Sequence, residues 1–242
     1  MIDLHCHILP GIDDGAGELA DSIAMARQAA DDAIQAVCAT PHIRHDHDVR
    51  IDEIEVRAAD LASELERQAV PVSVLPGGEV AETVVEGLDD GELRRVALGE
   101  GRWILLEPAP GALSDSLERR VEQLAARGHR SLIAHPERHL AEDLADRLVR
   151  LVLQGALIQA TAEFFVREET APGMLALAER GLVHVLGSDA HSSRFGRPVR
   201  ISPALEVLGG VDLLRPHLDW IARDAPGAIV SGGDLAAPFE PR

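Results

Sequence analysis

Asp3-Leu4-His5-Cys6-His7-Ile8-Leu9-Pro10-Gly11-Ile12-Asp13-Asp14-Gly15 opens the chain with a short apolar run that carries two imidazoles and stops at an Asp-Asp-Gly turn. In a strand, alternate side chains share a face, so His5 and His7 project together and Cys6 points the other way. Two imidazoles aimed at one point make half of a metal site. Their partners must come from elsewhere in the chain.

Further apolar runs lie near 36–41, 72–78, 103–108, 131–135, 157–162 and 184–188. With the opening run near 1–7 they make seven expected strands. Between them come amphipathic stretches. Ala20, Ile23, Ala24, Ala30 and Ile34 within and just beyond 17–33, and Ile54, Ala58, Leu61 and Leu65 within 51–68, recur at helical spacing. Helices are also expected over about 114–127, 140–154, 168–180 and 203–224, the last interrupted by Gly209-Gly210. Alternation of this kind predicts a parallel sheet. Seven units without a linker point to an α/β single-domain β/α barrel, closed or nearly so, with a doubly wound open sheet as the alternative. The domain is expected over 1–230, followed by a partly loose Gly- and Pro-rich tail over 231–242.

The carboxyl ends of barrel strands share one mouth, where catalysis sits. Here those ends read His5 and His7, His42 after Thr40-Pro41, Glu79 after Gly77-Gly78, Glu107, His135, and Asp189 with His191. Asp14 joins them from the first turn, with Asp13 as the alternative. Each alone has an ordinary explanation as a loop residue. Repeated at six of seven strand ends, they predict one metal centre built from five imidazoles and four carboxylates. Nine donors exceed the four to six positions of a single ion, so two to three ions are expected. Imidazole and carboxylate without thiolate suit manganese, iron or zinc better than calcium or Cu(I). Three divalent ions against four carboxylates would leave a surplus of about two positive charges, attractive to a phosphate dianion.

Composition narrows the partners. The chain has 242 residues and a net charge of −18, a poor match to sequence-independent nucleic-acid binding. All 23 basic residues are Arg, which excludes a Walker A loop and a Schiff-base lysine. Cys6 and Cys38 read as reduced, buried thiols of a cytoplasmic protein. No leader-like segment opens the chain, and no apolar run has membrane length, so membrane insertion is not expected.

Arginines follow two of the strand ends: Arg138 after His135, and Arg194 and Arg197 after His191. A guanidinium fork matches phosphate oxygens bidentately. Arg138 and Arg197 are the stronger candidates for phosphate, Arg194 and Arg44 the weaker. His45 and His47, in the His-Asp-His-Asp loop, read as solvated. Cys38 to Arg44 also fits Cys-x5-Arg, the loop of thiolate phosphatases, but Pro41 removes an N–H from the wrap that such a loop needs.

Together, the opening His-x-His, Ala39-Thr-Pro-His42, Glu79, Glu107, Ala134-His-Pro-Glu-Arg138 and Gly187-Ser-Asp-Ala-His191 with Gly196-Arg-Pro198 resemble the PHP (polymerase and histidinol phosphatase) superfamily. The opening run resembles its CpsB/YwqE-type protein-tyrosine phosphatases more narrowly. The resemblance spans residues 3 to about 198. It implies a distorted (β/α)7 TIM-like barrel and a manganese-type trinuclear centre held by the nine residues above. It also implies phosphate binding by Arg138 and Arg197, and attack of a metal-bridging hydroxide on phosphorus. The implied substrate is the phosphorylated Tyr-rich tail of a bacterial tyrosine kinase of capsule or exopolysaccharide synthesis. Histidinol phosphate or another small phosphomonoester is the first alternative, and a non-catalytic metal-binding PHP module the second. A homo-oligomer remains among the expectations. The chain departs from the family at His139, at Pro108-Ala109-Pro110 and over 43–50, all of which flank the phosphate site.

Overall fold

Among the described residues, nine parallel strands alternate with helices. They are β1 (Ile2–Cys6), β2 (Ala36–Ala39), β3 (His42–Ile43), β4 (Ser73–Pro76), β5 (Glu79–Ala81), β6 (Trp103–Glu107), β7 (Arg130–Ile133), β8 (Leu157–Thr161) and β9 (Val185–Gly187). The structure, a computed structural model, describes every residue from 1 to 242 except Leu140 and Asp234. The helices are α1 (Leu19–Asp31), α2 (Ile51–Arg67), α3 (Asp90–Val96), α4 (Asp115–Ala126), α5 (Leu144–Leu153), α6 (Ala171–Glu179), α7 (Ser202–Leu208) and α8 (Ala225–Ser231).

Two ladders form, β1-β2-β4 and β3-β5-β6-β7-β8-β9. The strands expected over 36–41 and 72–78 form as β2 and β4, and a further short strand follows each, β3 and β5, after a break that the sequence explains. Pro41 has no N–H to give to a ladder, so β2 stops before it and β3 resumes after it. Between β4 and β5, a Cβ on Gly78 would meet Ile43 Cγ1 at 3.0 Å and Val96 Cβ at 3.1 Å, so only glycine lets the backbone pass. The sheet curls into a half-barrel whose outer strands approach each other. His7 N–H donates to Ala190 O (2.9 Å) and Asp189 N–H to His5 O (2.8 Å), beside an isolated Cys6–Ala190 bridge. The expected closed barrel is therefore not formed as a continuous ladder, since a single bridge joins the two ends.

Apolar residues fill both sides of the strands. Val37, Ile104, Leu106, Ile133, Ile158 and Leu186 pack with the inner faces of the helices. Leu4, Cys38, Trp103, Leu105, Leu132 and Val185 gather with Ala225 and Ile229 of α8. Both cysteines are free and buried, as expected. Burial pushes the Cys38 thiol far above its usual pKa, the reverse of what a nucleophilic thiolate needs. The Cys-x5-Arg reading fails on that point.

Helix expectations hold with two additions. The helix α3 was not expected, although Asp89 and Glu92 form a capping box with both bonds at 2.8 Å. The helix expected over 203–224 with a break at Gly209-Gly210 stops as α7 at Leu208, just before that pair, and α8 lies beyond the expected stretch at Ala225–Ser231. Leu140, the first residue of the expected helix over 140–154, lies outside the described residues. Within the stretch expected as a tail, Phe239 is buried against His184 and Trp220, and Arg242 N–H donates to Arg180 O (2.8 Å). No described helix is long and apolar enough to cross a membrane.

Candidate metal centre

Each strand end delivers its side chain to one place. His5 and His7, on the same face of β1 and just past it, bring their Nε2 atoms within 3.3 Å of each other. His42 and Glu79 are register partners across β3 and β5. Glu107 ends β6. His135 and Asp189 follow β7 and β9 in left-handed backbone, with φ of 35° and 49°. Residues other than glycine rarely adopt that conformation, and such strain concentrates at functional sites. It turns both side chains out of the strand direction and into the cluster.

All nine residues that the sequence singled out as ligands converge. Their donor atoms fall into four overlapping groups, each within 4.8 Å: His7, Asp14, His42 and His191; His5, His135 and Asp189; His5, His7 and Glu79; and His42, Glu79 and Glu107. Glu79 sits at the middle, with Oε1 2.6 Å from His135 Nε2 and Oε2 2.9 Å from His42 Nδ1. The rings of His7 and His191 stack at 3.9 Å.

The donor set fits divalent cations. His135 Nδ1 and Asp189 Oδ1 are buried without a hydrogen-bond partner. Such orphaned atoms are costly unless something else engages them. The electrostatics agree. Burial alone would raise the pKa of Glu79, but His5, His135 and His42 outweigh it and hold the carboxyl well below its usual range. Burial also opposes charge on His7, yet the Asp13 and Glu79 carboxylates lift its pKa to about 10. His135 and His191 are driven down to about 4, by burial in both cases, with His7 adding to the effect on His191. The cluster thus holds a proton on His7 that a cation would replace, because a ligating imidazole must be neutral.

The structure separates the two aspartates that the sequence left open. Asp13 is turned inward: its Oδ2 accepts from His7 Nδ1 (2.8 Å) and from His42 N–H (3.0 Å), and its Oδ1 from Gly15 N–H (3.0 Å). Asp14 faces the open side, with Oδ1 3.4 Å from His42 Nε2 and 3.6 Å from His191 Nε2. Asp14 therefore shares the open side of the cluster with His42 and His191, whereas Asp13 braces His7 from behind. Gln159 on β8, unnoticed in the sequence, does the same for His5, with Oε1 3.0 Å from Nδ1. Its only signal was that the strand expected over 157–162 ends without a candidate donor.

Arg138 pairs with Asp189, and Arg197 reaches the same residue twice, through Nε to the carbonyl (2.7 Å) and through a terminal nitrogen to Oδ2 (3.0 Å). Arg194 turns away to Glu18 (3.6 Å) on the rim. Arg44, ranked low from sequence, touches Glu107 Oε1 at 3.1 Å. His47, read as solvated, has its Nε2 3.7 Å from Asp14 and its ring 4.8 Å from that of His42.

A curled parallel α/β sheet with nine metal-type donors and two arginines at the strand ends defines a metal-dependent hydrolase architecture. Comparison with known proteins narrows this. The sequence profile described as "Capsular polysaccharide synthesis, CpsB/CapC" matches residues 1–209, and the chain belongs to this family. It is 36% identical over 216 residues to the tyrosine-protein phosphatase YwqE of Bacillus subtilis, covering 86% of this chain and 84% of that one. It is 25% identical over 222 residues to the tyrosine-protein phosphatase CpsB of Streptococcus pneumoniae, covering 86% and 89%. A solved structure from work on those two proteins, described as unique metal-dependent tyrosine phosphatases, superposes with a TM-score of 0.84 at 30% identity. It covers 100% of this chain and 99% of that chain.

Proposed function

We propose that this chain is a metal-dependent protein-tyrosine phosphatase. The observation that carries the reading is the convergence of nine nitrogen and oxygen donors, with Arg138 and Arg197 both docked on Asp189 among them. His5, His7, Asp14, His42, Glu79, Glu107, His135, Asp189 and His191 would hold two to three divalent ions, manganese first, with iron or zinc as alternatives. Such ions supply Lewis acidity and lower the pKa of water.

The protein's own part is positioning. Asp13 and Gln159 fix which nitrogen His7 and His5 turn toward the cluster. Arg138 and Arg197 lie where their forks can take two phosphate oxygens and stabilise charge as it builds on phosphorus. In the overall reaction, water contributes the new P–O bond while the bond to the phenolic oxygen breaks. The products are inorganic phosphate and a tyrosine hydroxyl.

Finer points belong to the same proposal. The substrate is the phosphotyrosine tail of a bacterial tyrosine kinase of capsule or exopolysaccharide synthesis, consistent with the family description and with the names of the relatives. The setting is cytoplasmic, in keeping with two free thiols. The domain spans 1–230, and the strands make a distorted seven-unit barrel in which β2 with β3, and β4 with β5, each count as one interrupted strand.

Turnover of phosphotyrosine peptide, histidinol phosphate and p-nitrophenyl phosphate with added manganese tests the reading. Preferred hydrolysis of the phosphotyrosine peptide is expected. Preference for histidinol phosphate would move the chain to small-molecule chemistry, and no turnover of any of the three would leave a metal-binding module.

A further inference from the structure

The chain has two Trp, four Phe and no Tyr. Five of these six aromatic side chains are buried or half-buried, and Phe195 alone is exposed, at 75%. It stands at the border of two cavities. One, of about 590 Å³, is also lined by Asp14 and His191 of the metal cluster and by Glu18 and Arg194. The other, of about 180 Å³, is also lined by Arg197. Phe195 thus lies between a wall of metal donors and a phosphate-binding arginine.

The loop that carries it is pinned to α1. Ser193 N–H donates to Asp21 Oδ1 (3.0 Å) and Ser192 Oγ to Asp21 Oδ2 (3.1 Å). Gln28 then brackets the loop, its Nε2 donating to Ser193 O (2.9 Å) and its Oε1 accepting from Val199 N–H (3.1 Å). An apolar ring held in water by a braced loop loses little further freedom when a ligand covers it.

We infer that Phe195 is the specificity-determining platform on which the phenyl ring of the substrate stacks while its phosphate enters the centre. The inference rests on the phosphatase reading and deepens it, by naming what separates aryl from alkyl phosphate esters. Phosphorylated serine offers the same phosphate but no ring, and so gains nothing from Phe195. The stack forms in the ground state and persists in the transition state, so its loss falls on KM and not on kcat.

The test measures kcat and KM for a phosphotyrosine peptide and for the matching phosphoserine peptide, with manganese, in the wild type, Phe195→Ala and Phe195→Trp. Comparing each variant with wild type cancels the intrinsic difference between the leaving groups. Phe195→Ala is expected to lower the aryl-to-alkyl ratio of kcat/KM about five- to tenfold, through KM, with Phe195→Trp restoring it. An unchanged ratio in Phe195→Ala, or an equal fall for both peptides, overturns the platform while leaving a working phosphatase. No wild-type turnover of either peptide overturns the phosphatase reading, and the platform with it.

Discussion

Replacing Asp13 by Asn tests the division of labour between the two adjacent aspartates. Asp13 uses both of its oxygens: Oδ2 takes the His7 ring and the His42 backbone N–H, and Oδ1 takes the Gly15 N–H. An amide keeps one oxygen. In either orientation its NH2 faces at least one of those donors, and a stranded buried donor costs about 1–3 kcal/mol. The loss falls on the orientation of His7, whose Nδ1–H given to Asp13 leaves Nε2 free to face the cluster. Loss of such an orienting partner lowers metal affinity about 10- to 100-fold, equivalent to about 1.4–2.8 kcal/mol, so the two routes agree. Titration of metal-free protein with manganese, followed by calorimetry and by metal content after dialysis, gives the affinities. Asp13→Asn should bind 10- to 100-fold more weakly and recover activity in excess metal. Asp14→Asn, which changes a donor atom itself, should lower the stoichiometry. Wild-type affinity in Asp13→Asn, or a lost ion there with none lost in Asp14→Asn, would refute the assignment.

Arg197→Ala should lower kcat/KM for aryl phosphates by about 10²- to 10³-fold with the metal content unchanged, and near-wild-type turnover would remove Arg197 from the phosphate site. Glu137→Gln concerns stability. Burial pushes this carboxyl up to about 7, so between the ordinary carboxyl pKa and 7 the folded chain keeps a proton that the unfolded chain has lost. Stability therefore falls as pH rises through that window and stays lower above it, by about 3 kcal/mol at most. The Gln variant should melt higher than wild type at pH 8, with the gap closing toward pH 4, and parallel melting curves across that range would contradict the buried neutral acid. Cys38→Ser should leave turnover within about twofold, because the thiol is buried and its pKa is raised. An inactive, folded Cys38→Ser enzyme would revive thiolate chemistry.

The convergence of the nine donors was legible because a parallel β/α chain sends every strand's carboxyl end to one side. A His, Asp or Glu at such an end is thereby near every other, however distant in sequence. The orienting groups were not legible. Asp13 and Asp14 differ by one peptide rotation within a turn, and only the bonds to His7, His42 and Gly15 show which points inward. Gln159 looked like any polar residue in a strand. Arg44 and His47 lie on a charged loop whose course toward Glu107 and Asp14 no periodicity encodes. The breaks at Pro41 and at Gly77-Gly78 were written in the sequence, but a strand read as an apolar run passes over them. The capping box before α3 was equally visible, and Gly91 within a seven-residue helix masked it.

Asp189 joins the two halves of the proposed centre, the donor cluster and the arginines. Its Oδ1 has no hydrogen-bond partner and lies 3.6 Å from His5 Nε2, while Oδ2 takes both Arg138 and Arg197. Burial would raise its pKa, but His5, Arg138 and Arg197 together hold the carboxyl near 2. The carboxylate is therefore shared between the donor cluster on one side and the guanidinium forks on the other. On the proposed function, a cation held at Oδ1 would draw charge toward the metal side, and Arg138 and Arg197 would then have donors to offer a phosphate dianion. Arg44 stands in the same relation to Glu107, a second carboxylate shared between the donor cluster and an arginine. In the proposed centre, metal loading would thus prepare the anion site as well, although the chain as a whole carries a charge of −18.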